Sequence, residues 1–213
     1  MAIETFFNLP LDKREKITQK GIEIFTKYSY GEASTNQITK ELGISKGSLF
    51  NYFGSKKEFY LYLLRDSIED LMSVKQDITA NNFYDILFES MENKMTLYSS
   101  KAKEKILFVN HASKETNIEV VKEKQEIIQK YMLQAQQQSA QVLQKAIATL
   151  PIKKDSEKLL QGMTLYINTI VMQYLARYKD TPMEFFQNKE TIEKEIKEYL
   201  DILLYGVIEN EHD

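Results

Sequence analysis

The sequence predicts an all-α protein of about nine helices, on the basis of two observations. Only seven Gly and three Pro occur among 213 residues, so few positions favour turns or interrupt helices. Glu, Lys, Gln and Leu are abundant, and apolar residues recur at helical spacing in several segments. We expect a three-helix N-terminal domain over residues 1–54, followed by a larger helical bundle over residues 55–213.

The composition argues against several classes of site and location. Cys is absent and His occurs twice, which disfavours disulfides, thiolate zinc sites and cysteine nucleophiles. Glu4 and Pro10 lie where an export signal has a basic start and an apolar core. The longest apolar stretch, LYINTIVMQYLA, is interrupted by Asn168, Thr169 and Gln173. We therefore expect a cytoplasmic protein that does not span a membrane and that has no metal or other cofactor.

The first long helix is expected over about residues 10–29. Pro10 suits the first turn of a helix, and the carboxylate of Asp12 suits its positive end. The apolar face repeats at intervals of three or four residues and consists of Ile17, Gly21, Ile24, Phe25 and Tyr28. This helix is long enough to support the two short helices that follow it.

The next two helices are each only about two turns long. Ser34 or Thr35 caps the second helix, and Gly43 ends it at a position that requires a left-handed backbone. Ser45 caps the third helix, whose inward side chains are Leu49 and Phe53. A fourth helix opens with KKEFYLYLL after the cap Ser55. Two short helices joined by a turn that contains Gly, and backed by a longer helix, form a helix-turn-helix.

The third helix carries the side chains that suit a nucleic acid. Ser45, Lys46, Ser48, Asn51 and Tyr52 are expected to project outward, and Gly47 permits a close approach of the backbone. Lys46 suits the O6 and N7 acceptors of guanine, and Lys56 lies at the start of the fourth helix, where phosphates bind. Residues 1–56 have a net charge of +2, whereas the remainder has −5, so the N-terminal region is the better partner for a polyanion.

The segment STNQITKELGISKGSLFNYFGSKKEF resembles the helix-turn-helix of TetR-family transcriptional regulators. The resemblance covers about residues 12–65, and its pattern consists of Thr35, Ile38, Gly43, Ile44, Ser45, Lys46, Gly47, Leu49, Phe50, Tyr52, Phe53 and Lys56. It implies an all-helical homodimer that binds a palindromic DNA operator and, in most members, represses transcription.

The resemblance also implies roles for individual residues. Thr35 and Lys56 correspond to phosphate contacts, Lys46 and Ser48 to groove contacts, and Tyr52 to a backbone or base contact. Where the family usually has a tyrosine this chain has a phenylalanine at position 50, which lacks a hydroxyl for phosphate. The predicted DNA-contacting set is Ser34, Thr35, Gln37, Ser45, Lys46, Gly47, Ser48, Asn51, Tyr52 and Lys56.

The C-terminal part predicts an association surface. Later helices are expected at about 55–77, 82–99, 102–112, 116–149, 154–179 and 186–209. The last two carry wide apolar stripes, of which one face can pack within the subunit and another against a second subunit. The predicted dimer interface consists of Leu160, Ile167, Val171, Ile196, Leu200, Leu203 and Val207. The alternative is that both stripes pack entirely within one subunit.

The middle helices supply more aromatic and methionine side chains than a plain bundle requires. Such residues suit a cavity for a small apolar or aromatic molecule that releases the operator. The predicted lining consists of Phe83, Phe88, Met91, Met95, Phe108, His111, Tyr131, Tyr166 and Ile170. The alternative is that these side chains are ordinary core residues.

Other functional classes fit the sequence less well. An enzyme needs a convergent catalytic set, but the chain has no Gly-rich phosphate loop and its two histidines, His111 and His212, are far apart. A bundle that only binds proteins leaves the Lys, Ser and Tyr array of the third helix without a purpose. An activator and a regulator that needs a co-repressor stay open, as do the operator sequence, the effector, the regulated genes and the number of dimers on each operator.

Overall fold

The computed structural model describes residues 4–73, 77–100, 102–151 and 157–206. Within these ranges the chain forms eleven α-helices and no strand, which confirms the all-α prediction. The helices are α1 Glu4–Phe7, α2 Leu11–Lys27, α3 Thr35–Leu42, α4 Lys46–Phe53, α5 Lys56–Ser73, α6 Phe83–Ser99, α7 Lys103–Lys114, α8 Val121–Ile147, α9 Glu157–Tyr178, α10 Pro182–Gln187 and α11 Lys189–Tyr205. None of the helices in the described ranges is both long and apolar enough to cross a membrane.

Nine of these helices match the predicted ones, and the two short helices α1 and α10 were not predicted. Helix α1 has only four residues and is held in place by Phe6, whose side chain is fully buried. The predicted break near Pro182 is confirmed, because α9 ends at Tyr178 and α10 begins at Pro182. Pro182 occupies the first turn of α10, where its missing N–H leaves no hydrogen bond unmade.

The chain divides into two compact units. Unit 1 comprises Met1–Lys75 and Lys101–Ala135, and unit 2 comprises Gln76–Ser100 and Gln136–Asp213, so helix α8 contributes residues to both. The predicted domain boundary after residue 54 falls inside unit 1. That boundary separates the predicted DNA-binding helices from the rest of the chain and stays a prediction about function.

Unit 1 packs α2 against α5 and α7, with α3 and α4 at one end of this layer. Its core joins Ile17, Phe25, Ile38, Leu49, Phe53, Phe59, Leu63 and Phe108, among others. The close approach of α2 to α5 depends on Gly21, because a Cβ atom there would lie 2.6 Å from Cζ of Phe59. This tight packing gives the two short helices a firm support.

Unit 2 packs α6, α9, α10 and α11 around a separate apolar core. Its fully buried side chains include Ile86, Met95, Ile167, Ile196 and Leu200. The segment before α6 is held by the carboxylate of Glu89, which accepts hydrogen bonds from the backbone N–H groups of Thr79 and Ala80 at 2.9 and 2.8 Å. These bonds hold the pKa of the Glu89 carboxyl below its usual value.

Candidate nucleic-acid interface

Local capping bonds build the helix-turn-helix as the sequence predicts. The hydroxyl of Ser34 accepts from the Gln37 N–H at 3.2 Å, so Ser34 rather than Thr35 caps α3. Gly43 ends α3 with a left-handed φ of 65°. The hydroxyl of Ser45 accepts from the Ser48 N–H at 3.0 Å and caps α4. These bonds fix where each short helix starts and ends.

The exposed face of α4 carries Lys46, Gly47, Phe50 and Asn51. Phe50 has 42% of its surface exposed, which is unusual for a phenylalanine in the middle of a helix with a core on its other side. A Cβ atom at Gly47 would meet only the Ser45 hydroxyl, at 3.7 Å, so the backbone is open to close approach. The face therefore combines a cation, an amide, an apolar ring and accessible backbone.

Tyr52 does not project outward as the sequence analysis expected. Only 9% of its surface is exposed, and its ring centroid lies 6.0 Å from that of Phe6. The cause is α1, which packs on α4 and whose Thr5 hydroxyl donates to the Asn51 carbonyl at 3.0 Å. The outward placement of Tyr52 was wrong because the helix that covers it was not predicted.

Lys56 is engaged within the protein. Its Nζ donates to the carbonyl oxygens of Tyr30 and Ala33 at 2.9 and 3.1 Å and lies 4.2 Å from the centroid of the Tyr30 ring. Among the other predicted contacts, Thr35 is half-buried, and the Gln37 side chain donates to Glu41 at 3.1 Å. Contact of any of these residues with DNA stays a prediction.

Residues 17–63 match the family model described as bacterial regulatory proteins, tetR family. This segment contains most of α2, all of α3 and α4, and the first half of α5. By this segment the chain carries a region similar to the DNA-binding part of the TetR family. The match lies on the elements that carry the resemblance seen in the sequence.

Individual relatives are distant. A curated relative, the HTH-type transcriptional repressor AcnR of Corynebacterium efficiens, is 24% identical over 84 residues, which are 39% of this chain and 43% of that protein. The AcnR of Corynebacterium glutamicum matches over the same shares. The chain thus spans less than half the length of these two curated relatives.

Solved structures show that the likeness of fold extends over nearly the whole chain. MexZ of Pseudomonas aeruginosa, described as a key repressor responsible for antibiotic resistance there, covers 94% of this chain at 14% identity, over 100% of its own length and with a TM-score of 0.64. A TetR family regulator of Chloroflexus aurantiacus covers 95% of this chain and 96% of its own at 21% identity, with a TM-score of 0.56. At these identities the comparison shows the fold alone.

The nine residues predicted to line one pocket are divided between the two units. Unit 1 holds Phe108, His111 and Tyr131, and unit 2 holds the other six. His111 is committed to structure, because its Nδ1 lies 2.8 Å from the Phe25 carbonyl oxygen and donates to it. The Tyr131 hydroxyl donates to Glu69 at 2.6 Å, and burial, followed by Glu69, raises the pKa of Tyr131 to about 12.

The six predicted pocket residues of unit 2 lie mostly in its core. Phe83, Met91, Met95 and Ile170 are buried, whereas Phe88 and Tyr166 are half-buried against them. A cavity of about 740 Å³ lies instead between the end of α8 and α9, and none of the nine predicted residues lines it. It is lined by Gln144, Ile147, Ala148, Glu157, Leu160, Gln161, Thr164 and Leu165.

The predicted dimer interface also needs correction. Ile167, Ile196 and Leu200 are fully buried in the core of unit 2, so they do not form an exposed surface. Leu160, Val171 and Leu203 are half-buried against that core, and Val207 lies outside the described residues. The exposed large apolar side chains of α9 and α11 are Leu165, Met172, Tyr199, Ile202 and Tyr205. The prediction thus included side chains of the inward face, and the use of α9 and α11 for dimerisation stays a prediction.

Proposed function

We propose that the protein is a repressor that binds a near-palindromic DNA operator as a homodimer and is released by a small apolar or aromatic effector. The observation that carries the proposal is the exposed face of α4, within the segment that matches the TetR family. Both named relatives described above are repressors, which favours repression over activation. A regulator that needs a co-repressor is the alternative.

The α4 face suits the major groove. Lys46 is exposed in the first turn of α4 and can donate to guanine O6 or N7, and the Asn51 amide can pair with adenine. Phe50 offers an apolar surface to a thymine methyl group, a contact that needs no hydroxyl. Phosphates are expected at the exposed N-terminal ends of α3 and α4, where backbone N–H groups are available.

A dimer follows from the way helix-turn-helix proteins read DNA and from the apolar face that unit 2 leaves exposed. Two recognition helices related by a twofold axis must enter successive major grooves. Leu165 and Met172 on α9 lie two turns apart on the side away from the core, and a Cβ atom added at Gly162 on the same side would have nothing within 4 Å. The neighbouring α11 adds Tyr199, Ile202 and Tyr205. We propose a second copy of the chain as the occupant of this face.

The dimer is tested by introducing charge. Met172→Glu combined with Ile202→Glu is expected to sediment as a folded monomer with weak operator binding, because it places carboxylates in an apolar seam and leaves the cavity lining unchanged. Thr191→Glu places the same charge at an exposed polar position of α11 and serves as the matched control. A double variant that stays dimeric would show that the dimer interface lies on another surface.

The cavity of unit 2 is the proposed effector site. Its lining joins apolar side chains of Ile147, Ala148, Leu160 and Leu165 with the polar groups of Gln144, Gln161 and Thr164. This mixture suits a mostly apolar molecule with one or two hydrogen-bonding groups. Thermal-shift screening of such compounds, followed by operator titration with each hit, tests the response. Effector and operator must weaken each other by the same factor if they are coupled.

DNA recognition is tested by selection from a library of random duplexes. The wild-type protein is expected to enrich an inverted repeat, and Lys46→Ala is expected to bind that repeat with a loss of about 1 to 3 kcal/mol. Enrichment of no sequence would refute specific recognition. A compound that tightens operator binding would show that the coupling between effector and operator is positive, and the protein would then be a co-repressor-dependent regulator.

A further inference from the structure

Tyr30 lies in the turn between α2 and α3, and all of its polar groups are engaged. Only 2% of its surface is exposed. Its backbone N–H donates to Glu115 at 2.7 Å, and its hydroxyl donates to Glu119 at 2.8 Å. Its carbonyl accepts from Lys56 Nζ at 2.9 Å. One residue thus joins the α2–α3 turn to α5 and to the turn between α7 and α8.

The ring of Tyr30 is also held on several sides. It stacks on Phe25 of α2 with centroids 6.4 Å apart and meets the Tyr60 ring of α5 edge-on at 5.3 Å. The ammonium of Lys56 lies 4.2 Å from its centroid, within the range of a cation–π contact. Burial and the neighbouring glutamates raise the pKa of Tyr30 well above its usual value, so the hydroxyl keeps its proton and stays a donor.

The α7–α8 turn presents Glu115 in a fixed position. The second carboxylate oxygen of Glu115 accepts from the N–H groups of Thr116 and Asn117 at 2.9 and 2.8 Å. Lys124 is buried in α8, and its Nζ donates to the carbonyls of Ser113 and Glu115 at 3.0 and 2.8 Å. Burial lowers the pKa of Lys124, while Glu115 opposes that shift. These hydrogen bonds fix the backbone of the turn, and Lys124 ties it to α8.

The segment that Tyr30 holds leads directly into the DNA-binding helices. Ala33 also accepts a bond from Lys56, and the next residue is Ser34, the cap of α3. Helices α3 and α4 have eight residues each, too short to be stable alone, so their orientation depends on what holds their ends.

We propose that Tyr30 is a positioning residue that fixes α3 and α4 in the orientation that meets the operator, by tying the turn before α3 to the α7–α8 turn. The inference rests on the proposed function. It assigns the same positioning role to Lys56, because the ammonium of Lys56 donates two hydrogen bonds to carbonyl oxygens of the turn before α3. The main contribution of Lys56 is then to hold Tyr30 and Ala33 rather than to bind a phosphate. A movement of the α7–α8 turn would then be transmitted through Tyr30 to α3 and α4, in addition to any movement transmitted through α5.

The test uses variants that remove one group at a time. Tyr30→Phe removes only the hydroxyl, and Glu119→Gln keeps an acceptor oxygen but removes the charge. The matched control is Tyr174→Phe, because the buried Tyr174 hydroxyl of unit 2 also donates to a glutamate, Glu195, at 2.9 Å. Operator affinity is measured over a range of salt concentrations, beside the free energy of unfolding and amide hydrogen exchange of α3.

We expect Tyr30→Phe to bind the selected operator about tenfold more weakly, with faster exchange in α3 and an unchanged salt slope, since no phosphate contact is lost. The control is expected to lose similar stability but to keep its operator affinity within about twofold. Glu119→Gln is expected to act in the same direction but less strongly, because it weakens the same bond by removing the charge of the acceptor. The double variant is expected to be no weaker than Tyr30→Phe, because both changes act on one bond.

Three results would overturn the inference while leaving the proposed function intact. These are equal or tighter operator binding by Tyr30→Phe, additive losses in the double variant, and a Lys56→Gln variant whose salt slope falls by about one, which marks a phosphate contact. If the wild-type protein selects no operator, the proposed function fails first. If Tyr30→Phe does not fold, Glu119→Ala decides, because Glu119 is exposed in the turn before α8 and its truncation removes the acceptor of the Tyr30 hydroxyl without changing the core; operator binding equal to the wild type would then overturn the inference.

Discussion

Phe6 is expected to be a main determinant of how α4 is held, although it lies on the shortest helix at the N-terminal end. Its side chain is fully buried, and its ring centroid lies 4.8 Å from Phe53, 5.3 Å from Tyr62 and 6.0 Å from Tyr52. Phe6→Ala removes the ring that covers Tyr52. We expect the variant to lose stability and operator affinity together.

The magnitude follows from the burial and from the length of α1. Truncating a fully buried phenylalanine costs about 3 to 5 kcal/mol when the surroundings cannot collapse. Helix α1 has only four residues, so in the variant it can detach from the protein instead of leaving an internal cavity. The loss in the free energy of unfolding therefore cannot exceed the free energy with which α1 docks. The low end, about 3 kcal/mol, is therefore expected. Deletion of residues 2–7 should cost the same within error.

Phe7→Ala is the matched control, because this adjacent phenylalanine has 50% of its surface exposed. It should cost less than about 1 kcal/mol. Urea denaturation followed by circular dichroism measures both values, and operator titration measures the accompanying loss of affinity. A Phe6→Ala variant within about 0.5 kcal/mol of the wild type would refute the docking of α1 on α4.

Three further predictions concern glycines and one carboxylate. Gly21→Ala should lower the free energy of unfolding by about 1 to 3 kcal/mol, as measured by urea titration. The added Cβ would lie 2.6 Å from Phe59 Cζ and 2.8 Å from Leu63 Cδ1, and both of these side chains are in the core. An unchanged free energy would mean that α2 and α5 lie farther apart. Gly47→Ala should instead raise the free energy of unfolding by about 0.5 kcal/mol while weakening operator binding, and an unchanged affinity would show that this backbone does not approach DNA. Glu89→Gln should reduce the loss of stability in acid. Backbone donors hold the pKa of the Glu89 carboxyl in the folded protein below its ordinary value of 4.5. The carboxylate therefore stabilises the fold above pH 4.5, and this stabilisation is lost as the pH falls through the lower pKa of the folded state. Thermal unfolding of wild type and variant between neutral and acid pH checks this, and curves that stay parallel would contradict it.

Local signals in the sequence were sufficient for the helix-turn-helix. The caps Ser34 and Ser45 and the left-handed Gly43 are decided by residues within four positions, and the structure has them where the sequence predicts. Tyr52 and Lys56 were different, because their surroundings come from Phe6 and Tyr30, which lie 46 and 26 residues earlier in the chain. No periodicity within a short helix reveals such a partner.

The C-terminal helices show a second limit of sequence reasoning. Helix α9 is apolar on more than one face, so periodicity alone does not say which face packs within the subunit. The structure buries Ile167 in the core and exposes Leu165 and Met172. The pocket prediction meets the same limit, since aromatic and methionine side chains fill cores as readily as they line cavities, and Phe108 and Met95 are buried in cores.

Recognition of a specific, twofold-symmetric operator by α4 can be tested directly. The most direct measurement is the affinity of the wild-type protein for the selected inverted repeat, for the same duplex with one half-site scrambled, and for a duplex with both scrambled, all at one salt concentration. We expect the affinity to fall by several powers of ten between the intact and the fully scrambled duplex, within the range of about 10³ to 10⁷ typical of specific recognition. A large part of this affinity should already be lost when one half-site is scrambled. Equal affinity for all three duplexes would contradict it.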